Sequence, residues 1–195
     1  MLEQFKVKPE DAVRVREEDL RETVEAIFKK MGLDRKDSAL GADVLLKADM
    51  RGVDTHGVSN ILRGYVTGYG NGEINPYPEW IITRETPSTA NIDGDKGLGI
   101  IVAPKAMELA IKKAKEVGMG VVTIHNSRHL GMASYHALMA VEQDMIGTCM
   151  TSCPPSVLPT FGAEPLLGTN PIAVAAPARK EAPFVFDAAM SAVAG

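Results

Sequence analysis

Strand-like and helix-like patterns alternate along the chain from about residue 80 to its end. The strand-like segments are short apolar or β-branched runs: WIITR, TANID, GVVTIH, IGTCMTS, IAVAA and FVFD. The first two, which are separated by ETPS, predict a hairpin. Stretches of helical type lie between later runs, from about Ala103 to Val117 and near Met132 to Gln143. Strands that alternate with helices predict an α/β core.

The part of the chain before this core carries helical patterns. The first apolar stripe has helical spacing and would end at Gly32: Leu20, Val24, Ile27, Phe28 and Met31. Asp34 is the N-cap candidate of a second helix, and a third apolar stripe begins at Ile61. Glycine, proline and asparagine are frequent from Gly68 to Pro78, which indicates a loop. We therefore expect a helical segment over residues 1–70 and an α/β core over residues 71–195.

The histidines are concentrated in two short polar segments. Three of the four lie in HNSRHLGMASYHA, after the run GVVTIH. The fourth, His56, lies with Asp54 and Thr55 between two glycines, in a turn expected between helices. Histidine exchanges protons near neutral pH, and core packing rarely requires such a group of side chains in a turn. Both segments therefore predict an active site.

Charge and hydropathy restrict the partners of the chain. The 195 residues suffice for one domain, and 21 basic against 25 acidic residues give a net charge of −4. Without a Lys/Arg cluster, nucleic acid is not an expected partner. The N-terminus has no apolar signal-peptide region, and no run approaches the about 18 apolar residues of a membrane span. We expect a cytoplasmic protein that does not bind membranes.

The cysteines and the clustered histidines do not have the spacing of a metal site. Cys149 and Cys153 have no further cysteine near them, so two reduced, half-buried thiols are expected. His125, His129 and His136 straddle a predicted strand-to-helix turn, and no carboxylate lies among them. We therefore expect no metal.

The glycines of DGDKGLGI do not form a dinucleotide-binding fingerprint. They lack the G-x-G-x-x-G spacing within one strand-to-helix turn, which excludes a Rossmann site. The helix that follows could receive an anion at its N-terminus, but a plain loop is the favoured interpretation.

Five segments together have a specific order along the chain: DMRGVDTHG, STANIDGDKGLG, NSRHLGMASYHA, FGAEPLLGTNPIAVAAPA and FVFDAAMS. In these segments the chain closely resembles the malate/L-lactate dehydrogenase type 2 family of nicotinamide-dependent 2-oxoacid reductases. That family includes malate, sulfolactate and ureidoglycolate dehydrogenases. The resemblance implies an α/β fold unlike the Rossmann fold, usually in a homodimer. It also implies hydride transfer between NAD or NADP and the 2-carbon of a small 2-oxo or 2-hydroxy acid.

The resemblance implies catalytic roles for four residues. As hydride reaches the carbonyl carbon, negative charge grows on the oxygen, so a proton donor must lie within hydrogen-bond reach. In parts of the family this donor is the histidine matching His56, helped by the residues matching Thr55 and Asp187. In other members it is the histidine matching His129. We favour His56, with His129 orienting the carbonyl or taking part in a proton relay.

The sequence offers several candidates for the residue that binds the substrate carboxylate. Many family members have arginine four residues after the turn histidine, where this chain has Asn60. A guanidinium can hold both carboxylate oxygens, so Arg63, Arg51 and Arg128 are the alternatives, and Asn60 itself stays among the substrate-binding candidates.

The resemblance implies that a proline- and glycine-rich loop lies along the cofactor or the active-site cleft. Its cofactor-binding candidates are Ser152, Gly168, Thr169, Asn170 and Pro171. Such a loop can hold backbone amides in place, and a rigid connector is the alternative.

Family members continue beyond FVFDAAMS, whereas this chain stops eight residues after Asp187. We therefore expect it to lack the C-terminal part of the family, including further cofactor contacts. This expectation supplies an alternative function. The chain would be a catalytically incomplete fragment that binds a partner subunit or a complementary C-terminal piece through exposed apolar surface.

Overall fold

The computed structural model describes residues 13–192, and its elements follow the predicted order. The helices are Glu17–Lys30 (α1), Arg35–Met50 (α2), Val58–Gly70 (α3), Gly99–Val117 (α4) and Ala133–Val141 (α5). The strands are Ile81–Glu85 (β1), Thr89–Asp93 (β2), Val121–His125 (β3), Gly147–Met150 (β4), Ile172–Ala176 (β5) and Phe184–Ala188 (β6). The predicted α/β fold class is confirmed.

The N-terminal helices bury their apolar stripes against one another and against α4. Asp34 caps α2 as predicted, because its carboxylate accepts a 2.7 Å hydrogen bond from the backbone N–H of Asp37. Phe28 of α1, Leu45 of α2 and Ile100 of α4 are fully buried in one hydrophobic cluster. This shared cluster fixes α2 and α3, and the turn between them, against the α/β elements.

The first sheet has the strand order β1-β2-β3. The predicted hairpin is confirmed, since β1 and β2 pair antiparallel. The β2 and β3 strands pair in parallel, and α4 is the crossover between them. The chain leaving β3 is held by the glycine turn after β2, because the N–H of Gly94 donates to the carbonyl of His125 and that of Arg128 to the carbonyl of Gly97.

Two helix boundaries differ from the predictions. The α4 helix begins at Gly99 and not near Ala103, so Pro104 lies inside the helix as a buried residue and not in its first turn. The α3 helix continues to Gly70, so the predicted loop begins later than Gly68. Gly68 is buried against Ile74, where its missing side chain allows close packing.

The second sheet is antiparallel, with the order β4-β5-β6, and one face packs on α5. Ala173 and Ala175 of β5 are fully buried against Ala133 and Ala137 of α5. Asp187 of β6 is paired with Ala173, and directly paired residues share a face, so Asp187 lies on the face toward α5.

Among residues 13–192, none of the helices combines the length and the apolar composition needed to cross a membrane.

Candidate active site

The turn that carries His56 is a short 3-10 helix, Asp54–His56, between α2 and α3. The side-chain amide of Asn60 donates a 2.7 Å hydrogen bond to the carbonyl of Asp54 and closes the turn from the first turn of α3. Oγ1 of Thr55 lies 2.9 Å from Nδ1 of His56, a hydrogen bond whose donor depends on the ring tautomer. Thr55 thus contacts the imidazole directly, whereas Asn60 supports the turn.

Asp49, near the end of α2, anchors the same turn from the other side. Its Oδ2 accepts a 3.0 Å hydrogen bond from the backbone N–H of Val58, the first residue of α3. A side chain on Gly57 would overlap this carboxylate, so only glycine fits at position 57. Burial raises the pKa of Asp49. Asp49 was not among the site residues predicted from the sequence, where the available signal was an acidic residue shortly before a glycine-flanked turn.

The structure brings His56 and His129 into ring contact. Their centroids lie 5.4 Å apart and their planes are 22° from parallel. Nδ1 of His129 lies 2.7 Å from the hydroxyl of Tyr65 and accepts a 3.3 Å hydrogen bond from the N–H of Gly131. The His129 residue is exposed overall. Its pKa is nevertheless lowered to about 4, mainly by desolvation of the ring and to a smaller extent by the neighbouring His56. His129 is therefore neutral near pH 7.

Asp187 acts on His56 from the end of β6. Burial lowers the pKa of His56, and the negative charge of Asp187 opposes that shift. Oδ2 of Asp187 accepts a 2.8 Å hydrogen bond from the N–H of Ser134 in the first turn of α5. Since α5 has no side-chain cap of its own, this carboxylate satisfies one of its free N–H groups. The predicted catalytic residues thus come from the α2–α3 turn, the segment after β3 and strand β6.

The arginines considered for the substrate carboxylate differ in their surroundings. Arg128 is half-buried and donates from Nε to the carbonyl of Glu73 at 2.7 Å and from a terminal nitrogen to that of Ser127 at 3.1 Å. Arg51, after α2, and Arg63, on α3, are both exposed. Arg63 lies on α3 one turn beyond Asn60, so these two residues are neighbours on the helix surface.

The cofactor-binding candidates lie together beside the end of β6. Oδ1 of Asn170 accepts a 2.9 Å hydrogen bond from the N–H of Cys153, which joins the GTNP turn to the segment containing Ser152. The carbonyl of Thr169 accepts a 2.8 Å bond from the N–H of Met190, which follows β6. Ser152 is exposed and Thr169 is half-buried.

The other two histidines lie apart from the His56–His129 contact. His125 is exposed, with Nε2 3.5 Å from Asp93. His136 is buried, and its Nε2 lies 2.8 Å from the carbonyl of Leu130, to which it donates. Within the described residues, no three His, Cys, Asp or Glu side chains are grouped so that they could hold a metal ion. Both cysteines are free thiols of intermediate burial, as predicted.

Comparison with known proteins supports the resemblance seen in the sequence. Residues 15–195 match the family model described as malate/L-lactate dehydrogenase. The chain is 48% identical to malate dehydrogenase of Pyrococcus horikoshii over 184 residues, which are 94% of this chain and 51% of that protein. It is 46% identical to L-sulfolactate dehydrogenase of Methanocaldococcus jannaschii over 168 residues, 86% of this chain and 48% of that protein.

The fold agrees with these sequence matches. The solved structure of malate dehydrogenase from Pyrococcus horikoshii OT3 superposes with a TM-score of 0.89 over 93% of this chain and 51% of that one. The chain spans about half the length of the curated relatives it matches. On these grounds, the chain belongs to the malate/L-lactate dehydrogenase family.

Proposed function

We propose that the chain functions in an oxidoreductase that transfers a hydride between NAD(P)H and the 2-carbon of a small 2-oxo or 2-hydroxy acid of the malate or lactate type. The observation that carries the proposal is the contact of the His56 and His129 rings, with the charge of Asp187 acting on His56. Reduction of a carbonyl requires a proton donor beside the hydride donor, and an imidazole influenced by a nearby carboxylate can supply that proton. The proposal includes a cytoplasmic location and a homodimer.

In this proposal His56 delivers the proton. When bound, the reduced nicotinamide supplies the hydride, and the carbonyl oxygen then gains negative charge. The charge of Asp187 favours the protonated ring of His56 against the effect of burial. Thr55, at 2.9 Å from Nδ1, holds the ring orientation. His129, whose pKa is lowered to about 4, is a poor proton donor near pH 7 and instead orients the carbonyl.

The residues proposed to hold the nicotinamide cofactor are Ser152 and the GTNP turn from Gly168 to Pro171. The hydrogen bond from Cys153 to Asn170 keeps this turn in one conformation, and a side chain on Gly168 would overlap the carbonyl of Cys153. A rigid turn with nearby hydroxyls fits the sugar and phosphate groups of a dinucleotide. The same hydroxyls can serve NAD or NADP, and the proposal covers both.

For the substrate carboxylate we propose Arg63. The guanidinium of Arg128 is already bound to two backbone carbonyls, which makes it a structural residue. Arg63 is exposed on α3, the helix whose N-terminus follows the His56 turn. A planar guanidinium at this place can bind a carboxylate through two hydrogen bonds.

The proposal is tested by titrating the full chain with NADH and NADPH while following nicotinamide fluorescence, and then by assaying a panel of 2-oxo acids. We expect saturable binding of the nucleotide and turnover of at least one 2-oxo acid. Thr169→Val removes a proposed cofactor contact and should weaken binding, whereas Thr83→Val, on exposed β1, should not. A folded chain that binds neither nucleotide would favour the catalytically incomplete fragment, and a Thr169→Val variant that binds as tightly as the wild type would contradict the proposed cofactor site.

A second candidate function rests on the outer face of the β4-β5-β6 sheet. This face carries the residues that alternate with the α5-facing ones: Thr148, Met150, Ile172, Val174, Ala176, Phe184, Phe186 and Ala188. Met150 is 66% exposed, and Phe184 is 60% exposed. Apolar surface of this kind favours a fragment that binds a partner subunit or a complementary C-terminal piece.

Because the proposed enzyme is itself a homodimer, sedimentation velocity must be combined with the 2-oxo acid assay to distinguish this second function from an active enzyme. If the sheet face binds a second subunit, the chain associates with increasing concentration, and Phe184→Asp abolishes association. Phe161→Asp changes a phenylalanine that is even more exposed and lies in the loop before β5, and it should not change association. A monomer that turns over a 2-oxo acid would contradict the fragment function.

A further inference from the structure

Tyr65 is a buried polar residue that the proposed reaction does not yet use. It lies in the apolar stripe of α3 and is 5% exposed. Its hydroxyl lies 2.7 Å from Nδ1 of His129, which is 64 residues away along the chain. Because a buried hydroxyl must be hydrogen-bonded to avoid a desolvation cost, this contact fixes both side chains.

The contacts of His129 Nδ1 determine which ring nitrogen carries the hydrogen. The backbone N–H of Gly131 lies 3.3 Å from the same Nδ1 and can only donate. Nδ1 must therefore present its lone pair. It follows that the Tyr65 hydroxyl is also a donor to Nδ1, and that the ring hydrogen of neutral His129 is on Nε2. Burial raises the pKa of Tyr65, so the phenol retains the hydrogen that it donates.

We propose that Tyr65 is a positioning residue that acts through His129. Its hydrogen bond to Nδ1 selects the Nε2–H form of the ring, so that His129 offers the substrate oxygen a hydrogen-bond donor. This inference rests on the proposed function, since it assigns His129 a role in the same reaction. It separates the two stacked rings chemically: His56 supplies the proton, and His129 supplies a fixed N–H.

The test is long-range proton–nitrogen NMR of the histidine rings in the full chain labelled with ¹⁵N-histidine. Assignment uses His129→Gln. Near pH 7 the wild type should show His129 with a bare Nδ1 and a protonated Nε2. In Tyr65→Phe, which keeps the buried ring, a fraction of His129 should shift to the Nδ1–H form. A wild-type spectrum with hydrogen on Nδ1 would overturn the proposal even if Tyr65→Phe failed to fold.

The matched control is Tyr69→Phe, because Tyr69 is a half-buried tyrosine on the same helix. It should leave the His129 spectrum unchanged. In steady-state assays Tyr65→Phe should lower kcat about tenfold with a smaller change in KM, as expected when one hydrogen bond orients a reacting group. An unchanged His129 spectrum in Tyr65→Phe would overturn the proposal. Because the NMR result does not depend on turnover, it tests the role of Tyr65 even if the proposed enzymatic function proves wrong.

Discussion

The backbone N–H of Ser134 donates a 2.8 Å hydrogen bond to Oδ2 of Asp187 and joins the first turn of α5 to strand β6. This bond places a negative charge at a helix N-terminus, where the helix dipole stabilises it. The same charge opposes the lowering of the His56 pKa by burial. The α5 helix thus holds the carboxylate that acts on the proposed proton donor.

Replacement of Asp187 should therefore change the pH dependence of turnover. Asp187→Asn keeps an oxygen that can accept from Ser134 but removes the charge, so the pKa of His56 should fall further. Since His56 must be protonated to act as the acid, the decline of kcat with rising pH should begin at lower pH. At pH 7, kcat should fall by roughly tenfold or more. The measurement is the pH profile of 2-oxo acid reduction, and a profile identical to the wild type would refute the role of Asp187.

Asp49 should matter for stability through its hydrogen bond to Val58. Asp49→Ala removes the acceptor and should lower the free energy of unfolding by about 1 kcal/mol, as for a lost helix cap. Asp49→Asn keeps an acceptor and should cost less. Urea unfolding of both variants measures the difference, and equal losses would show that the hydrogen bond is not the cause.

The pH dependence of the Asp49 contribution has a defined sign. Burial raises the pKa of Asp49, so the folded state binds this proton more tightly than the unfolded state. Its contribution is therefore most favourable at acid pH and declines as the pH rises through the folded pKa. In Asp49→Asn this decline should be absent from the stability profile.

His136 should make the fold sensitive to mild acid. It is 1% exposed, and burial lowers its pKa to about 4 from an ordinary value of about 6.5. The unfolded state then binds the proton more readily, so the contribution of His136 is complete above about pH 6.5 and is lost as the pH falls toward 4.

The measurement is the free energy of unfolding of the wild type and His136→Gln across this pH range. One such ring accounts for up to about 1.4 kcal/mol per pH unit, so the wild type should lose stability more steeply than the variant as acid is added. Parallel stability profiles would mean that His136 does not remain neutral in the fold.

Arg63 should affect substrate binding more than the chemical step. Arg63→Gln is expected to raise KM for a 2-oxo acid about tenfold while kcat changes less, because a charge-assisted hydrogen-bonded contact is lost. Arg84→Gln, on exposed β1, is the matched control. Arg128→Gln should instead lower stability, since the carbonyl of Glu73 loses its partner. Unchanged kinetics in Arg63→Gln would remove it as the carboxylate residue.

The order of helices and strands and the β1–β2 hairpin could be predicted from the sequence, but the other strand pairings could not. Strand pairing is long-range: TANID pairs with GVVTIH across α4, and IAVAA pairs with both IGTCMTS and FVFD. The helical pattern is recognisable only from about Ala103, whereas α4 begins at Gly99 and contains Pro104 beyond its first turn, where proline is less common.

For the proposed site, sequence motifs indicated the candidate catalytic residues better than the residues that support them. The contact of His56 with His129 joins two motif segments, so both residues were already candidates. Tyr65 lies at helical spacing from Ile61 in the third apolar stripe, a pattern that predicts its burial but not the contact of its hydroxyl with His129. Asp49 contacts Val58 across a turn whose geometry the sequence does not specify.

The assignment of His56 as proton donor is tested most directly by the rate of NAD(P)H-dependent 2-oxo acid reduction in His56→Asn. The control is His125→Asn, which changes an exposed histidine outside the stacked pair. Loss of the acid should reduce kcat to about one hundredth of the wild-type value or less, with His125→Asn near wild type. A His56→Asn variant that retains more than about a tenth of the wild-type kcat would contradict this assignment, because general acid catalysis contributes more than that.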